Sequence, residues 1–290
     1  MRVDAHQHFW AIARGDYGWL TPALGPLWRD ALPDELAPHL ARAGIARTVL
    51  VQAAPTVEET RFLLDLAART PFVAGVVGWC DLAAPDAAAR VEALAAAEPL
   101  LVGLRPMLQD LPERDWILRP ELAPALRQVS ARGLVFDALV RPPGLAAIVA
   151  LAARWPELPI VLDHGGKPDL ARGELDAWRA DVAALARAPN VSCKLSGLVT
   201  EAGGDPSPER LRPAVEHLLA CFGPDRLLFG SDWPVLELAS GYGAWVETAE
   251  ALCAGLSEAE RAAVFGRNAA RIYGAAGRGR WGEGGRAQEP

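Results

Sequence analysis

Lysine is almost missing from this chain. Of 29 basic residues only two, Lys167 and Lys194, are lysine, and the rest are arginine. An exposed cation can drift freely to arginine. A compact ammonium cannot be replaced by a planar guanidinium where its shape is used, so the two survivors are candidates for a site. Cysteine is sparse too. Cys80, Cys193, Cys221 and Cys253 are far apart and form no CxxC pair, which reads as reduced, mostly buried thiols of a cytosolic protein. No apolar run reaches the roughly 18 residues of a membrane span. No basic block interrupts a net charge of −7, which argues against a nucleic-acid partner. Strand-like sequence begins at Val3, leaving no room before it for a signal peptide.

What the chain does have is eight short apolar runs: residues 3–8, 47–52, 72–79, 100–105, 133–139, 158–164, 190–195 and 226–232. Several are nearly continuous hydrophobics, such as Thr48-Val49-Leu50-Val51, as expected of parallel strands covered on both faces. Helix signals lie between them. Thr56-x-x-Glu59 and Ser257-x-x-Glu260 fit capping boxes, and Ser207-Pro208 fits an N-cap followed by a first-turn proline. Eight strand–helix units predict an α/β fold, a single (β/α)8 TIM barrel over residues 1–274. An open doubly wound sheet is the alternative, but no GxGxxG follows any run. From Ala275 the sequence turns rich in Gly, Arg and Glu, and a frayed tail is expected over 275–290.

Two segments exceed the repeat. Residues 9–33 carry Trp10, Tyr17, Trp19 and Trp28, and residues 108–120 carry Trp116. Both are loops at the mouth of such a barrel, and Trp10 offers one ring face for packing against a substrate. Taken singly, each aromatic is accounted for by packing its own loop down.

Catalytic groups in these barrels come from the C-terminal ends of strands. Those ends offer His6 and His8, Arg105 with Gln109 beyond it, Asp137, the stretch Asp163-His164-Gly165-Gly166-Lys167, Lys194, and Gly230-Ser231-Asp232-Trp233. Three of the five histidines and both lysines fall there; His39 and His217 lie in helical segments. Residues two apart on a strand point the same way, so His6 and His8 converge. Convergent imidazoles bind a divalent metal or polarise a carbonyl. An ionised Asp232 among positive groups can deprotonate water. The class implied is hydrolysis of a carbonyl compound.

The segments VDAHQHFW, LVGLRPMLQD, FDALV, VLDHGGKP, NVSCKLSG and LLFGSDWP occur in order from residue 3 onward. Together they resemble the amidohydrolase superfamily, and within it the sugar-lactone and dicarboxylate-lactone hydrolase branch that includes L-fuconolactonases and L-rhamnonolactonases. The resemblance implies Asp232 as the base for water, with His164 and Lys194 catalytic. It implies His6, His8, His164 and Asp232 around the lactone carbonyl or as metal ligands. Arg105, Gln109, Lys167, Asp137 and Trp10 would hold substrate. The metal is open between zinc, manganese and none. A binuclear centre is not expected, because only His164 stands where the wider superfamily often has two later histidines, and Arg105 occupies the strand-four position of a bridging lysine or glutamate. Pro106 also stands where many relatives have histidine.

The expected activity is opening of an L-fucono- or L-rhamnono-type lactone in the cytoplasm. The partner is a small molecule rather than nucleic acid or membrane, with a homodimer among the open assembly states. A metal-dependent decarboxylase of the related group is the alternative, separated by its product. A non-catalytic binding barrel has no positive support.

Overall fold

The computed structural model describes residues 1–282. Eight parallel strands, β1 (Val3–Gln7), β2 (Arg47–Val51), β3 (Val73–Gly78), β4 (Leu101–Leu104), β5 (Val135–Ala138), β6 (Ile160–Leu162), β7 (Val191–Leu195) and β8 (Leu227–Phe229), pair in chain order. The ring closes just beyond β8, where the Asp232 N–H donates to His6 O at 2.7 Å and the His8 N–H donates to Trp233 O at 2.7 Å. The single (β/α)8 barrel expected from the apolar runs is the observed fold.

The helices alternate with the strands on the outside: α1 (Pro33–Ala43), α2 (Val57–Arg69), α3 (Ala87–Ala97), α4 (Ala123–Ala131), α5 (Leu145–Arg154), α6 (Asp176–Leu185), α7 (Pro208–Phe222) and α8 (Tyr242–Leu252). Ser207 caps α7 as its sequence predicts, and Ser257 with Glu260 forms a complete capping box on the short α9 (Glu258–Ala262). The Thr56 box is only half formed. Thr56 accepts from the Glu59 N–H, but the Glu59 carboxylate turns away to accept from the Ala53 and Ala54 N–H groups, tying down the loop after β2. No helix among the described residues is long and apolar enough to cross a membrane.

The apolar interior has two parts. One lies between strands and helices. The other fills the lower barrel with Val3, Ala5, Val49, Val77, Val135, Val161 and Leu228, and is stoppered by Ala269 and Tyr273 of α10 (Asn268–Tyr273). Strict alternation would send His6 outward if Ala5 faces in. A register shift between Asp4 and Gln7 resolves this. It lets Ala5 join the inner core while His6 and His8 face the upper interior, and Gln7 turns out to bond Thr48.

The frayed tail expected from Ala275 is not what residues 275–282 form. Arg278 donates to the carbonyls of Ala95, Glu98, Leu101 and Arg132, the Arg280 N–H donates to Ala74 O at 2.7 Å, and Trp281 packs on the lower core. Arginine meets orphan carbonyls at strand starts and helix ends here, a use that composition conceals. The remainder of that expectation, 283–290, lies outside the described residues.

Candidate active site

Five strands bring their ends together at the top of the barrel. His6 and His8 rise from β1, Arg105 follows β4, His164 and Lys167 follow β6, Lys194 lies within β7, and Asp232 follows β8. Three residues here adopt left-handed backbone, His164 (φ 54°), Lys167 (φ 51°) and Asp232 (φ 61°), and no other non-glycine residue does so among those described. Such strain concentrates where tertiary structure aims a side chain. Glycine makes room twice. A Cβ at Gly197 would stand 2.5 Å from His164 Nδ1, and one at Gly230 would stand 2.8 Å from the His6 Cβ.

At the centre stands Asp232 Oδ1. It faces His8 Nε2 at 3.2 Å, His6 Nε2 at 3.7 Å and His164 Nε2 at 3.9 Å. Burial alone would raise this carboxyl, but the field of His164 and the contact with His8 outweigh it and hold Asp232 below the usual carboxylate range. Burial drives His164 down to about 4, so its ring is neutral at pH 7. Its Nδ1 is held 2.9 Å from Ser196 Oγ, which turns Nε2 toward Asp232 and the cavity.

A buried charge chain runs beneath. Lys194 Nζ contacts Asp137 Oδ2, Asp163 Oδ1 at 2.9 Å and His6 Nδ1 at 2.9 Å, and Lys194, Asp137 and Asp163 are all fully buried. From below, the Tyr273 hydroxyl reaches Asp137 at 2.9 Å. Burial raises Asp137 to about 6. Burial pushes Asp163 up as well, but Lys194 and His6 outweigh it and hold it well below the normal range. Arg105 Nη1 donates to Asp163 Oδ2 at 3.1 Å, while its Nε and Nη2 donate to Gln52 Oε1 at 3.3 and 3.0 Å.

A cavity of about 190 Å³ sits above, lined by His8, Trp19, Arg105, Gln109, His164, Lys167 and Asp232 among others. Lys167 is steered by Glu201, 3.4 Å away. Gln109 Oε1 is a buried acceptor with no donor in the protein.

The sequence-derived set therefore divides. Arg105, Gln109, Lys167, His8, His164 and Asp232 line the cavity. Trp10, Asp137 and Lys194 do not. The Trp10 ring is fully buried, with its N–H on Arg29 O at 2.8 Å. Asp137 and Lys194 neutralise each other one layer down, so contact of Trp10 or Asp137 with substrate, and of Lys194 with reacting atoms, gives way to a supporting place. Four contributors had no role at the site assigned from the sequence. Asp163 stood among the strand-end residues beside His164 without one. Ser196 sat inside KLSG. Gln52 ended a strand run as an unremarkable amide. Glu59 had been read as a capping partner.

The residues present fit one divalent cation. His6 Nε2, His8 Nε2 and Asp232 Oδ1 lie 3.2, 3.2 and 3.7 Å apart. Those are edge lengths for ligands about 2.1 Å from a shared tetrahedral centre. The His8 Nδ1–H is fixed on Val51 O at 2.8 Å, which leaves Nε2 as a lone pair aimed at a carboxylate 3.2 Å away. That approach needs a positive centre between the two atoms, either a second ring proton or a metal.

The amidohydrolase family model matches residues 3–275. An L-fucono-1,5-lactonase of Burkholderia ambifaria is 50% identical over 276 residues, covering 94% of this chain and 95% of the relative. A second L-fucono-1,5-lactonase, from Burkholderia multivorans, is 41% identical over 285 residues, covering 94% and 96%. A crystal structure of an amidohydrolase from Burkholderia multivorans with bound zinc superposes with a TM-score of 0.89 at 40% identity, covering 94% of this chain and 99% of that one.

Proposed function

We propose, from the premise that this chain belongs to the amidohydrolase family, that it is a lactonase opening a sugar lactone of the L-fucono- or L-rhamnono-type. The observation that carries the reading is Asp232 Oδ1 set among three imidazole nitrogens at the floor of the cavity. The lactonase relatives support it.

Asp232, ionised and fixed, takes a proton from a water that attacks the lactone carbonyl carbon. The His164 ring, through a proton on Nε2, and the Arg105 guanidinium stabilise the oxygen that gains charge, since both residues line the cavity. The acyl C–O bond then breaks, the ring oxygen leaves, and Asp232 returns the proton to it. The product is the open hydroxy acid. Lys167 and the acceptor oxygen of Gln109 hold the ring hydroxyls. Lys194 and Asp137 act through His6 and Asp163 by fixing their protons and positions. A divalent metal, held by His6, His8 and Asp232 with His164 beside them, would supply Lewis acidity toward the carbonyl. We place the reaction in the cytoplasm, a setting supported by four free thiols, three of them buried.

The test is a lactone panel read with a pH indicator: L-fucono-, L-rhamnono-, D-galactono- and dicarboxylate lactones, each with and without chelator. Acid release from a neutral sugar lactone is the expected result. No acid release across the panel by folded protein overturns the reading. Carbon dioxide release from a carboxylated substrate moves the assignment to a decarboxylase.

A further inference from the structure

The 190 Å³ cavity has room for little more than one sugar ring and falls below the about 300–1,000 Å³ usual for a small-molecule site. It does not end at its own wall. A second cavity, of about 650 Å³, adjoins it and shares Trp19, Met107 and Asp110 with it. The two spaces differ in chemistry. The first is lined by Arg105, Lys167, His8 and His164. The second has no basic residue among its lining and carries three carboxylates, Asp16, Asp81 and Asp110. Trp19, Trp79 and Trp116 supply its aromatic surface.

Three features narrow the occupant. The acidic rim repels an anion, so a phosphorylated or carboxylated arm is excluded. The Trp19 indole is held rigidly by its N–H on Ala53 O at 2.8 Å and by an edge contact with Trp10 at 5.4 Å, and it is 38% exposed, a fixed face toward both cavities. Asp16 is anchored by Arg14 at 2.6 Å and Thr56 at 3.1 Å through one oxygen, while its other oxygen, Oδ1, is buried with no hydrogen-bond donor in the protein. An aliphatic arm would cover the lining carboxylates Asp81 and Asp110 without offering them a donor. A neutral polyol ring would donate hydroxyls to them and lay its C–H face on indole.

We infer that the second cavity is a glycosyl subsite, so that the protein accepts lactones bearing a neutral sugar substituent remote from the carbonyl. This rests on the lactonase reading above. Water adds across the acyl C–O bond as before and the glycosidic bond is untouched.

The experiment compares initial rates on lactobiono-1,5-lactone and D-glucono-1,5-lactone, with L-fucono-1,5-lactone as reference, in the native chain and in Ala83→Trp. Ala83 is exposed at the far side of the second cavity and touches no residue assigned to catalysis, so the indole fills the subsite alone. The expected result is kcat/KM for the glycosylated lactone about tenfold above its unsubstituted partner in the native chain, a gain of one well-made contact. Ala83→Trp should remove that advantage while leaving L-fucono-1,5-lactone within twofold. Turnover of L-fucono-1,5-lactone without preference for the glycosylated substrate overturns the subsite alone. So does a variant that changes all substrates equally or none. No turnover of any lactone overturns the lactonase reading, and the subsite with it.

Discussion

Lys194 Nζ stands 2.9 Å from His6 Nδ1, inside the barrel, with no solvent contact. An ammonium has three donors and no acceptor, and Asp137, Asp163 and His6 supply three acceptors. Burial, with Lys194 adding to it, keeps His6 neutral at pH 7.

Removing that cation leaves two buried carboxylates facing each other. Lys194→Met is expected to destabilise the fold by about 3–5 kcal/mol, measured as a fall in the guanidinium midpoint. Adding Asp137→Asn should recover part of the loss. A single variant within about 1 kcal/mol of native would show that the chain carries no such tension.

Asp232→Asn should lower kcat about 10²–10⁴-fold, the usual weight of a general base. Its melting temperature should stay close to native, because asparagine tolerates the left-handed backbone seen at φ 61°. Retention of most activity would remove Asp232 from the mechanism. Asp232→Ala is the poorer test, since alanine resists that conformation.

Gln109→Met should act on substrate rather than on chemistry. The variant fills similar volume but offers no acceptor where Gln109 Oε1 now waits for a donor. KM should rise about tenfold with kcat nearly unchanged, the signature of lost uniform binding. A fall in kcat with constant KM would instead put Gln109 in the transition state.

Zinc at a hundredfold excess over its dissociation constant should stabilise the fold by about 2.7 kcal/mol, read as a rise in melting temperature. His8→Ala should abolish that rise, since His8 Nε2 is the best-oriented donor of the set. An unchanged zinc response in the variant would place the ion elsewhere.

Glu59 gives a pH-dependent prediction. Burial raises its pKa from 4.5 to about 7. Between those values the folded protein holds a proton that the unfolded chain has released. Its contribution to stability is therefore complete below pH 4.5 and is lost as pH rises toward 7, by at most about 3 kcal/mol. Glu59→Gln, which keeps an acceptor for the Ala53 and Ala54 N–H groups, should flatten that part of the melting-temperature profile. A profile identical to native would remove Glu59 as its source.

Much of this was legible in the chain. The eight strands fall within the eight apolar runs, because parallel strands buried on both faces need continuous hydrophobics. The scarcity of lysine marked Lys167 and Lys194, and both lie at the site or directly under it. What stayed hidden were matters of register and layer. Period-two alternation brings His6 and His8 together but cannot foretell the shift that admits Ala5 to the same interior. Nor does sequence separate residues that line a cavity from those one layer below, so Asp137 and Lys194 looked equivalent to Arg105. Glu59 matched one motif and served another, because a buried carboxylate is drawn to unmet N–H groups wherever the fold leaves them.

The register of β1 and the docking of residues 278–281 together put both described ends of the chain on one side. Val3 opens its strand at the lower rim, and Gly282 O lies within 3.4 Å of Arg47 at the foot of β2. The mouth, with Asp232 and Lys167, is at the opposite pole. The molecule can thus be tethered to a bead, a sensor surface or a fused carrier through residue 1 or through sequence beyond 282, and every copy would present its open end to the solution.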